Sequence, residues 1–170
     1  MSEYRTKTYI AADWDSDEDA VDILHYWNDS NHWSLSFHDA HELTQSKDTS
    51  LPCSIKRSLK TRLDVSKTFV LIVGNNTDSV TKGSCVYCGN YKNSICRNGY
   101  SVDYRSFIDY ECAKAIEADI KIVVLYKSVS VNKAKCPEII RNVGIHTAMK
   151  WKKSDGTIAW DYFAVKEALE

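Results

Sequence analysis

Apolar residues along this chain follow two rhythms. Short runs rich in β-branched residues, "TYIAAD" (8–13), "SLSF" (34–37), "TFVLIVG" (68–74), "IKIVVLY" (120–126) and "TAMKW" (147–151), predict five strands. The third and fourth runs are almost continuously apolar, as strands covered on both faces must be. Between them the period changes to that of a helix. "DEDAVDILHYWND" (17–29) turns Val21 and Leu24 inward after an aspartate cap, and "CSIKRSLKTRLDVSK" (53–67) repeats Ile55, Leu59 and Leu63 at spacing four. "RSFIDYECAKAI" (105–116), a short "PEIIRN" (137–142) opened by Pro137, and "AWDYFAVKEALE" (159–170) complete the helical set.

Strand and helix alternate, which predicts an α/β fold: a flavodoxin-like, doubly wound, five-stranded parallel sheet of order 2-1-3-4-5 in a three-layer α/β/α arrangement. In that order a ligand crevice lies beyond the carboxyl ends of strands 1 and 3. Its expected walls are "DWDSDED" (13–19), and the loop from Asn75, which also contains Thr77.

One residue fits this pattern poorly. Glu111 lies at the border of its helix's apolar stripe of Ile108, Cys112, Ala115 and Ile116, whereas Asp109 lies opposite. A carboxylate there either reaches solvent at the edge or needs a hydrogen-bonded partner, a raised pKa or a ligand. The helix that carries it is the one leaving strand 3, so Glu111 and the expected crevice belong to the same crossover.

Length and composition narrow the choices. A chain of 170 residues is expected to form a single domain, residues 1–170. With 22 basic against 23 acidic residues, net charge −1, and no dense Lys/Arg block, neither a nucleic-acid nor a membrane surface is expected. "MSEYRTKTYIAADWDSDED" carries acidic residues where a signal peptide needs an apolar run, so the expected location is cytoplasmic. There is no GxxxxGK[ST] and no GxGxxG. The third strand ends "LIVG", without the aspartate a phosphoacceptor receiver domain needs.

The connection from residue 75 to 103 is long for a compact domain and reads as an insertion. It holds Cys85 and Cys88 in C-x-x-C spacing and then Cys96. These three predict either a structural zinc, whose fourth ligand would come from Cys53, Cys112, Cys136 or a distant histidine, or a redox pair, or free thiols in a lid.

The acidic and aromatic exit of the first strand, "FHDA" (37–40), "VLIVGNNT" (70–77) and "FIDYECAKAI" leading into "KIVVLY" resemble the TIR and TIR-like domains, in particular those of bacterial antiphage systems of the Thoeris type. The resemblance spans about residues 7–130. Its most informative element is aromatic-x-x-Tyr-Glu, here Phe107, Tyr110 and Glu111. The resemblance implies that Glu111 is the catalytic residue of NAD cleavage. It also implies that Asp13, Trp14, Asp39, Asn75, Thr77, Phe107 and Tyr110 surround the nucleotide, Trp14 offering an aromatic face. NAD is then the substrate, and the product is a cyclic or conjugated ADP-ribose signal read by a separate effector. Assembly with further copies of the chain is left open. The alternatives are a non-catalytic TIR-like scaffold and a nucleoside ribosyl- or deoxyribosyltransferase, whose similar sheet also uses a glutamate.

Overall fold

The computed structural model describes residues 4–30, 32–33, 35–40 and 51–170. In chain order the elements are β1 (Lys7–Ala11), α1 (Trp14–Asp29), α2 (Pro52–Asp64), β2 (Ser66–Val73), β3 (Tyr91–Lys92), β4 (Ile95–Cys96), α3 (Phe107–Glu117), β5 (Lys121–Tyr126), β6 (Ile145–Ala148), β7 (Lys150–Lys152), β8 (Ile158–Trp160) and α4 (Tyr162–Leu169). β1, β2, β5 and β6 form a parallel sheet in the order β1-β2-β5-β6. Among the described residues no helix is long and apolar enough to cross a membrane.

Side chains alternate across each strand, so the apolar runs divide between two cores. Tyr9, Phe69, Leu71, Ile122 and Val124 face Leu59 and Leu63 of α2 and Ile108, Cys112 and Ala115 of α3. Ile10, Val70, Ile72, Val123 and Leu125 face Val21, Leu24 and Trp27 of α1 and Val165 and Ala168 of α4. Full burial of each such aliphatic side chain contributes about 1.5–3 kcal/mol.

Among the described residues the sheet has four strands where five were expected. The segment expected as the second strand, whose Ser34 lies outside the described residues, contributes one parallel bridge, Thr8 to Asp39, with Thr8 N donating to His38 O at 2.8 Å. It is tied instead to α1. Asn28 Nδ2 donates to Phe37 O at 3.0 Å and Asn28 Oδ1 accepts from Phe37 N at 2.9 Å, so one side-chain amide takes both backbone groups of Phe37.

Two other elements differ. "TAMKW" is divided at Met149, whose backbone bonds Tyr126 O on one side and Asp161 N on the other; beyond it the chain leaves the sheet for the β7–β8 hairpin. "PEIIRN" makes only a single 3₁₀ turn, Glu138–Ile140. The insertion between β2 and α3 has its own hairpin. Asn93 (φ 52°) and Ser94 (φ 63°) form the two-residue turn joining β3 to β4. Its base is closed by Phe107 N to Lys82 O (2.8 Å) and Cys85 N to Asp103 O (2.9 Å). Buried Lys56 of α2 clasps it, donating to Arg105 O at 2.8 Å.

Candidate functional site

Helix α3 starts where Ser106 Oγ accepts from Asp109 N at 3.1 Å, a regular side-chain cap. One turn later Glu111 points into the core beneath β1, only 7 % exposed. Burial raises its carboxyl pKa to about 8, and neither the hydrogen bond from Tyr9 nor the positive charge of Arg62 brings it back to the ordinary carboxylate range. At neutral pH Glu111 is therefore mostly protonated. Tyr9, fully buried on β1 and stacked on Phe69 at 5.7 Å, is held well above its usual pKa by burial and then by Glu111. Arg62 is buried on the last turn of α2. Glu111 is thus a neutral acid among apolar side chains, near the Tyr9 hydroxyl and the Arg62 guanidinium.

A second buried carboxylate closes the carboxyl ends of the strands. Asp17 is 1 % exposed and breaks the helical dihedrals of α1 (φ −123°, ψ 16°). Its carboxylate lies so close to Gly74 that a Cβ there would come within 2.1 Å of Oδ1. Lys127, just past β5, pairs with Asp17 at 2.9 Å and Asp19 at 3.1 Å and donates to Ser16 O at 2.8 Å. Asn76 Nδ2 reaches Ser16 Oγ at 3.3 Å. The loops after β1, β2 and β5 are thus tied together where the crevice was expected.

Residues 9–82 match the family model described as Thoeris protein ThsB, TIR-like domain. Over this span the chain is similar to the Thoeris TIR-like family. No curated protein matches the chain. The span carries Tyr9, Asp17, Arg62 and Gly74 but ends before α3, so Glu111 stands outside it.

Within the chain the expected site residues are dispersed. Asp13 starts α1 through its backbone carbonyl, which accepts from Ser16 N and Asp17 N, and its side chain makes no cap bond. Trp14 is 44 % exposed. Asn75 Oδ1 accepts from Lys135 Nζ at 2.6 Å, and Thr77 Oγ1 accepts from Gly74 N at 2.8 Å. Phe107 packs against Gly83, whose φ of +99° and missing Cβ make room for the ring. Tyr110 is buried, its ring flanked by Arg105 at 5.1 Å and by Lys56 and Lys114 at 5.7 Å. Asp39 is buried and paired with His25 Nε2 at 2.9 Å, on the side of α1.

Sequence reasoning missed Tyr9, Arg62, Asp17, Lys127 and His25. Gly74 carried a usable signal, because a glycine directly after an apolar strand marks close approach of another group. Among the described residues no group of three His, Cys, Asp or Glu side chains is arranged to hold a metal. Cys85 Sγ instead accepts from Asp103 N at 3.3 Å.

Proposed function

We propose that this protein is a TIR-like enzyme of antiphage defence that cleaves the nicotinamide–ribose bond of NAD, with Glu111 as its catalytic residue. The observation that carries this reading is the buried Glu111 carboxyl on α3, beside Tyr9 and Arg62, in a chain whose first half matches a Thoeris TIR-like domain.

Breaking that bond builds positive charge on the anomeric carbon, and a carboxylate against the ribose stabilises it. Nicotinamide departs as a neutral group, so no acid has to protonate it. The nicotinamide ring of NAD is itself cationic, and a positive charge within about 4–6 Å favours the ionised carboxyl. Substrate arrival therefore ionises Glu111, which otherwise keeps its proton. An ionised carboxylate in those apolar surroundings is worth far more to a developing cation than one in water. Tyr9 is a positioning residue, holding the carboxyl through its hydroxyl. The product is an ADP-ribose-derived nucleotide, cyclic or conjugated, that diffuses to a separate effector.

The test is nicotinamide release from NAD by the purified protein and by Glu111→Gln, each checked for folding by its thermal midpoint. Turnover by the parent that falls about 10²-fold or more in the variant supports the assignment. Near-normal turnover by a folded variant removes it. A parent that releases no nicotinamide, even with lysate from phage-infected cells, favours the non-catalytic scaffold.

A further inference from the structure

The amino-terminal ends of β1 and β2, opposite to the Asp17–Lys127 end of the sheet, border a cleft of about 620 Å3 lined by Arg5, Lys7, His38, Lys67 and Phe37 among others. No described aspartate or glutamate lines it, in a chain with 23 acidic and 22 basic residues. The cations are placed by the sheet. Lys7 sits beside Ser66 in the β1–β2 register and Lys67 is the extra residue at the irregularity that follows, so both lysines stand at the same end of neighbouring strands. Arg5 Nη1 donates to Ala118 O at 3.3 Å, which fixes its direction. Neither Lys7 nor Lys67 has an ion-pair partner among the described residues. Like charges on adjacent strands repel, and an anion between them reverses that cost.

The cleft also has an apolar wall. Phe37 is held from both sides of its backbone by Asn28. A second hollow of about 250 Å3 continues from the first, sharing Phe37 and Lys67. The larger volume lies within the roughly 300–1,000 Å3 of small-molecule sites. From these cations and this wall we infer that the cleft binds a nucleoside polyphosphate, its phosphates on Arg5, Lys7 and Lys67 and its base against Phe37. The inference does not depend on the NAD-cleaving reading, because no residue is shared with the Glu111 site.

Calorimetric titration of the whole protein with ADP, pyrophosphate and adenosine tests it, beside the variants Lys7→Glu/Lys67→Glu, Lys67→Gln and Glu111→Gln. ADP and pyrophosphate should bind and adenosine should not. The double variant should weaken ADP by about tenfold or more, and Lys67→Gln by a smaller factor in the same direction. Glu111→Gln should leave ADP affinity unchanged, which separates this cleft from the proposed NAD site, and nicotinamide release by the lysine variants should stay at the parent level. The inference is overturned if the parent binds ADP no tighter than about 1 mM, or if the lysine variants bind it as the parent does. Should the double variant fail to fold, Lys67→Gln, changed at an exposed side chain, decides alone.

Discussion

The Asp17 carboxylate occupies the space a side chain at Gly74 would need, 2.1 Å from an ideal Cβ. Gly74→Ala must therefore displace either the carboxylate or the end of β2. Overpacking of this kind costs about 1–3 kcal/mol, and at this chain length each kcal/mol lowers the melting temperature by roughly 2–4 °C. Adding Asp17→Ala removes the clashing group, so the two substitutions should be less costly together than their separate effects imply. Thermal melts of the four proteins measure the coupling, and simple additivity would show that the close approach is not what keeps glycine at this position.

Glu111→Gln should stabilise the protein while inactivating it. The folded carboxyl has a pKa of about 8 against an ordinary 4.5, so between those values the folded state binds more protons than the unfolded one. Its contribution to stability is fully present below about pH 4.5 and is lost as pH rises towards 8. Glutamine cannot ionise and escapes that loss. Melts at pH 5 and pH 8 should show the parent falling further than the variant, by up to a few kcal/mol. Asp109→Asn, on the exposed face of the same helix, should change neither melt nor turnover, since such substitutions stay within about 0.5 kcal/mol.

Tyr9→Phe should move the pH profile of catalysis. In the free protein the Tyr9 hydrogen bond pulls the Glu111 pKa down against burial. Its loss raises that pKa further, and kcat/KM, which reports free-enzyme ionisations, should need a higher pH to reach half its maximum. A lower rate with an unmoved profile would assign Tyr9 to packing only.

The strongly patterned parts of this fold were legible in the sequence. β2 and β5 stand out because burial on both faces leaves almost no polar position in their runs, and α3 because its apolar stripe is regular. The second strand was not legible, since its fate depends on Asn28, a helix residue that takes the backbone of Phe37. The β7–β8 hairpin was announced locally by Asp155–Gly156, where Gly156 adopts φ 87°, but its short strands carry too few apolar residues to register as a run. Glu111 was conspicuous as a carboxylate on an apolar border. Its partners Tyr9 and Arg62 lie on elements far away in the chain, and no periodicity couples them to it.

A different acid response is expected from the β5–β6 pair. Tyr126 Oη lies 2.8 Å from His146 Nδ1, and His146 Nε2 lies 3.0 Å from Val143 O. A carbonyl only accepts, so Nε2 carries the proton and Tyr126 donates to a bare Nδ1. Burial lowers the His146 pKa below its ordinary 6.5. The contribution to stability is therefore present above about pH 6.5 and is lost as pH falls through that value towards the folded pKa, the reverse of the Glu111 trend. NMR titration should find His146 titrating below the ordinary 6.5. A midpoint at or above 6.5 would falsify the lowered pKa and the acid response drawn from it.

The insertion between β2 and α3 enters and leaves through one closed base, formed by the pairs Lys82–Phe107 and Cys85–Asp103. Apart from the Tyr91–Tyr104 contact, the β3–β4 hairpin lies beyond that base, so a change in its length should leave the register at which α3 begins, and hence the depth at which Glu111 sits, unaltered. The segment behaves as a cassette on a fixed socket, where a lineage can change what the protein meets at its surface while the buried carboxyl stays where it is.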